Sequence, residues 1–164
     1  MSDDVAPCPD CGAPLGGRVG CDAAFHELGA RAASDARFSY RRRAIVDAYC
    51  LQHPAYVLSV KSLAAHLCGL CAATERPEDP RAERAIWSAF RVPPNAVKPP
   101  LPSVCTSITV AHVHRTSTPD AFRAVADTWI AEVWAAWREH HALARRWLEY
   151  SMAAGDRGRR HKAR

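Results

Sequence analysis

Apolar residues recur every three or four positions through most of the chain, which is the period of helices rather than strands. Residues 22–34 (DAAFHELGARAAS) place Phe25 and Leu28 on one side and predict a short helix. Ser34-Asp35 reads as the start of the next one. Residues 36–51 carry Phe38, Ile45, Val46 and Tyr49 roughly on one face, and this helix should stop near Gln52, because Pro54 disfavours helical backbone at His53. A third helix is predicted over 59–75, with Val60, Leu63, Leu67 and Leu70 at helical spacing. A fourth, short one is predicted over 80–91, with proline in its first turn.

Residues 92–107 hold five prolines and read as an extended connection over the surface. ITVAHVHR, 108–115, is either a short strand or the end of that connection. Thr118-Pro119-Asp120 then opens the longest periodic segment, running to about Met152 without internal Gly or Pro. Phe122, Val125, Trp129, Val133, Trp137, Ala144, Trp147 and Leu148 form its apolar stripe, with His140 near the centre and His141 at the edge beside Trp134. Unbroken it would span roughly 50 Å, so a bend or division is expected. The predicted fold class is mainly α, a helical bundle bearing an N-terminal Cys-rich, zinc-knuckle-like loop. Residues 1–154 form one helical domain including the loop 8–21, and 155–164 form a disordered basic tail.

Composition changes this picture little. With 164 residues, 48% hydrophobic and 24% charged, the chain can bury one core without disulfides. The start MSDDVAPC shows no apolar signal, and no long uncharged apolar stretch suits a membrane span, so the expected location is cytoplasmic, with no membrane partner. Seven cysteines are there read as thiols and metal ligands. The net charge of +5 is concentrated: five basic residues and one acid in 155–164 contribute +4 of it. Any contact with nucleic acid is therefore expected only through that tail. The abundance of Ala, Arg and Pro matches a GC-rich bacterial genome.

The candidate chemistry begins with Cys8, Cys11 and Cys21 in CPDCGAPLGGRVGC. A C-x-x-C pair opening on proline and closing on glycine is the shape of a zinc knuckle, and Cys21 supplies a third thiolate. In DAYCLQHP, Asp47 interrupts an apolar face and needs a partner, since burying it unpaired is costly. His53 stands where that helix stops, and Cys50 with His53 makes a C-x-x-H pair of a spacing zinc uses. On the third helix, Ser59, Ser62 and His66 form a polar stripe that could face the Asp47/His53 end. Cys68 and Cys71 lie in a leucine-rich helix and are read as core fillers. His112 and His114 alternate on an extended segment as a possible metal pair. No nucleophile elbow, phosphate loop or H-E-x-x-H is present.

The order CPxCGA, a lone Cys, VDAYxxQHP, KSxxxHL and a Trp-rich W-x-x-x-x-W-x-x-W segment resembles an uncharacterised bacterial domain family of unknown function, recurrent in actinobacteria and their relatives. The resemblance runs from about Cys8 to Leu148. The positions matching its motifs are Cys8, Cys11, Cys21, Asp47, Tyr49, Gln52, His53, Ser62, His66, Trp134, Trp137 and His141. It implies a site list and no reaction.

The leading expectation is a zinc-binding protein in which Cys8, Cys11, Cys21 and His53 hold one Zn2+ that joins the loop to the helical body. Asp47, Tyr49, Gln52, Ser62, His66 and His141 would line the pocket or support the ligands. One alternative is a metal-dependent hydrolase with an open zinc position near Asp47, His53 and His66. Another is a nucleic-acid or protein adaptor using the basic tail.

Overall fold

Tyr49, Leu63, Leu67, Leu70, Trp129 and Leu148 meet in one core that every long helix helps to close. The structure is a computed structural model and describes residues 5–88 and 90–162. Among these residues there are seven α-helices: α1 Gly17–Ser34, α2 Arg42–Gln52, α3 Val60–Glu75, α4 Pro80–Ser88, α5 Val110–His114, α6 Pro119–Ala136 and α7 His141–Lys162. Single 3-10 turns lie at Ala36–Phe38, Pro54–Tyr56 and Arg138–His140. The only β pairing among the described residues is an isolated bridge between Pro7 and Pro14. The mainly α expectation therefore holds. No helix among them is long and apolar enough to cross a membrane.

Helix α2 is the centre of the bundle. It packs on α3 and α6, and α3 in turn packs on α7. Eight of its eleven residues are buried, including Asp47 and Gln52, so it is enclosed on more than the single face its periodicity predicts. Helix α3 starts on a reciprocal cap between Ser59 and Ser62, each side chain taking the other's backbone N–H at 3.0–3.1 Å. Ser62 is thereby used as a cap rather than as part of a polar stripe. Gly69 lets α3 approach α2 closely: a Cβ there would collide with the Asp47 carboxylate, 2.7 Å from its Cγ.

One predicted element differs, and another divides as expected. Residues 108–115 are not a strand: Val110, Ala111 and Val113 bury into the core from a short helix, α5. His112 Nδ1 accepts the Thr109 N–H at 3.1 Å, while His114 Nε2 pairs with Glu27 at 2.6 Å, so the two imidazoles do not converge. The long C-terminal segment divides at Trp137–His140. There Trp137 N–H bonds back to the Trp134 carbonyl, and His141 Nε2–H donates to the same oxygen at 2.8 Å. The His141 ring stacks on Trp134 at 3.7 Å. His140 leaves the stripe and donates to the Pro100 carbonyl at 3.0 Å, tying down the proline-rich connection.

Helix α7 continues to Lys162, where the sequence predicts a disordered tail. Ala154 is buried and Asp156 pairs with Arg81 at 2.8 Å. Residues 163–164 of that predicted tail lie outside the described residues.

Arg31 carries α5 on α1. Its guanidinium donates to the carbonyls of Thr116 at 2.7 Å and Val113 at 3.2 Å, and lies 4.5 Å over the Phe38 ring. Arg31→Met should lower stability by about 2 kcal/mol, because the charge-assisted bonds to the Thr116 and Val113 carbonyls are lost. A urea denaturation curve with unchanged slope checks this.

Candidate metal centre

The N-terminal loop is shaped by its own backbone. Cys8 N–H bonds to Ala13 O and Gly12 N–H to Cys8 O, both at 2.8 Å, so the chain doubles back between the two cysteines. Gly12 takes the left-handed conformation this turn needs, with φ 78°. The loop ends earlier than its sequence implies. Helix α1 begins at Gly17, and Cys21 is a helical residue whose side chain points back under the loop. Arg18 then clamps the loop, holding both oxygens of Asp10 at 2.7 Å.

The fourth member comes from the end of α2. His53 terminates that helix in extended backbone, φ −120° and ψ 102°, as the following proline requires. Its Nδ1–H donates to the Tyr49 carbonyl at 2.6 Å. That bond sets the tautomer and leaves the Nε2 lone pair facing the sulfurs. Nε2 lies 3.3 Å from Cys21 Sγ and 3.7 Å from Cys8 Sγ, and Cys11 Sγ lies 3.7 Å from Cys21 Sγ.

All four donor atoms lie within 4.8 Å of one another, and all four residues are buried. Zinc bonds of about 2.3 Å to sulfur and 2.0–2.1 Å to nitrogen in a tetrahedron require edges of about 3.8 Å (S–S) and 3.6 Å (S–N). The three spacings of 3.3, 3.7 and 3.7 Å lie close to those edges, and the remaining donor pairs are within 4.8 Å. A disulfide needs sulfurs about 2.05 Å apart, which Cys11 and Cys21 do not approach.

The electrostatics favour a single thiolate, at Cys11. The Cys11 thiol is pushed down to about 4, chiefly by its hydrogen bond from Cys21, with His53 adding to the effect against burial. Cys21 is pushed up by the same shared proton and by burial. For His53 burial acts downward, but the Cys11 thiolate and the Tyr49 carbonyl outweigh it and the imidazole is raised. The cluster without metal thus stores protons that a cation would displace.

Tyr49 backs the cluster. Its ring stacks on His53 at 4.0 Å and on Phe25 at 3.9 Å, and its hydroxyl reaches Asp22 and Cys21 Sγ. Tyr56 donates to the same Asp22 carboxylate at 3.2 Å. From sequence Asp22 has no assigned role, and Phe25 only that of an apolar residue on a helix face. Their only signal is position, one and four residues beyond Cys21 on the same helix.

The other predicted supports lie elsewhere. Asp47 is fully buried and does not orient His53; Arg43 Nε donates to both its oxygens at 2.9 Å and His66 Nδ1–H to Oδ1 at 2.8 Å. Gln52 accepts from Trp129 Nε1 at 2.8 Å and donates to Thr106 Oγ1 at 2.7 Å. His141 stands at the α6–α7 break and Ser62 at the α3 cap. The composite arrangement of Asp47, His53 and His66 is therefore not formed. Cys50 is buried, its thiol pushed up to about 12 by burial, and it takes no part in the cluster. Cys68 and Cys71 are core residues, as expected.

A protein-family profile described as a family of unknown function, DUF5946, matches residues 6–138, and the chain belongs to that family. No curated protein and no solved structure matches it.

Proposed function

We propose that this member of DUF5946 binds one zinc ion through Cys8, Cys11, Cys21 and His53, and that the ion is structural. The observation that carries this reading is the convergence of four buried donors within 4.8 Å of one another from a loop, a helix and a helix end. Zinc there would supply folding energy, since it would join the loop of residues 8–12 to α1 and to the end of α2. Four protein donors complete a tetrahedral shell. Each of the four residues is at most 3% exposed, which leaves no open position for water of the kind a hydrolytic centre needs. Asp47 and His66, the bases an enzyme reading would use, are engaged with each other, and Asp47 also with Arg43.

All seven cysteines are free, which suits a reducing compartment such as the cytoplasm. The test is elemental analysis of protein purified without a metal-binding tag, followed by exchange into Co2+. One zinc per chain and the visible bands of a tetrahedral thiolate–imidazole cobalt site are expected. Folded protein without metal, and with all its thiols titratable, would reject the reading.

A further inference from the structure

A second site is built on the far half of the bundle, with none of the four sulfur and imidazole donors in its lining. A cavity of about 880 Å³ opens between α2, α3, α4 and α6. That volume lies in the range of small-molecule sites, roughly 300–1,000 Å³. Small residues, Ala44, Gly69, Ala72, Ala73 and Ala131, are part of its lining. Trp87 and Trp134 stand in its walls. Trp87 is 62% exposed, an unusual setting for so large an apolar ring. Small residues and two indoles in one lining suit a flat ring.

The charge around the cavity is organised by α2. Arg41, Arg42 and Arg43 all line it. Arg41 holds Asp127 at 2.8 Å, and its backbone is left-handed at φ 45°, ψ 34°. Arg43 is fixed by Asp47 and lies 5.6 Å over the Trp87 ring. Arg42 is exposed, and its side chain makes no hydrogen bond or ion pair among the described residues. Three adjacent cations at the start of a helix, with no acidic residue in its first turn, repel one another and the helix dipole. Glu78 and Glu83 also line the cavity, but from the α3–α4 connection and from α4.

We propose that this cavity binds a small flat aromatic anion, with the ring against the tryptophan-bearing walls and the negative group at Arg42 and Arg43. An aromatic carboxylate and a nucleoside phosphate share this chemistry. The site is independent of the metal centre, and the two stand or fall separately.

The probe is 8-anilinonaphthalene-1-sulfonate, titrated into the full-length protein as purified and read by energy transfer from tryptophan. Saturable binding at one site is expected, displaced by benzoate if the natural group is a carboxylate or by AMP if it is a phosphate. Arg42→Ala should weaken binding about tenfold, the value of one charge-assisted hydrogen bond. Ala131→Trp fills the cavity from an exposed helix position and should abolish binding with the circular dichroism spectrum unchanged. The proposal is overturned by non-saturable binding, by displacement with neither competitor, or by unaltered affinity in Ala131→Trp. A cationic dye of similar size binding at least as tightly would also overturn it.

Discussion

A Cys21→Ala variant is expected to purify without stoichiometric zinc and to melt about 15 °C below the wild type. Structural zinc in isolated fingers contributes about 10–16 kcal/mol of apparent binding energy. A domain of this size holds only about 5–15 kcal/mol of net stability. Losing even about 5 kcal/mol of the metal's share would shift the transition by roughly 15 °C. The same fall should follow His53→Ala, because the imidazole is the donor that ties the loop of residues 8–12 to the end of α2. Cys50→Ala is the contrast. It removes an equally buried thiol three residues from His53 that lies outside the cluster. It should keep its zinc and lose only the small cost of trimming a core side chain. Melting curves with parallel metal analysis decide the matter. Full metal content in Cys21→Ala would refute the ligand assignment.

Gly69→Ala should be nearly as damaging, although alanine is the better helix former. The new methyl would occupy the space of the Asp47 carboxylate, which is fully buried and held by Arg43 and His66. Displacing it either parts α2 from α3 or breaks the buried pair, at a cost of about 3–5 kcal/mol. The sign reverses once the carboxylate is gone. In an Asp47→Ala background Gly69→Ala should be neutral, or stabilising by up to about 1 kcal/mol, the ordinary helical preference for alanine. Urea midpoints for the four proteins of that cycle give the coupling directly. Equal effects of Gly69→Ala in both backgrounds would show that the close approach of α2 and α3 does not depend on Asp47.

Much of this was legible beforehand, for identifiable reasons. The three cysteines and His53 were readable because metal ligation needs few residue types, and proline after His53 dictates where the helix ends. Helix α3 was readable from its leucine spacing. Asp47 was recognised as needing a partner, but its partners were misplaced. Arg43 is one turn away on the same helix, and His66 reaches the carboxylate only because Gly69 lets α3 come close. Side-chain direction across a helix pair is not written in local spacing. Helix α5 was missed because five residues are too few to show a period and β-branched Val110 and Val113 mimic a strand. The α6–α7 break was foreseen as a bend or division, without its position. Its position depends on the His141 ring seating on Trp134 and taking that residue's carbonyl, a tertiary event.

The order of the ligands along the chain has a consequence for biosynthesis. All four donors belong to the first 53 of 164 residues, while Trp129 and Trp137, which help to bury that region, are made much later. If zinc is captured as proposed, capture precedes the closing of the bundle. The finished protein would then hold its ion as an inclusion laid down early and sealed by later helices. Exchange with free metal would be paced by the opening of those helices rather than by the strength of any single bond to sulfur.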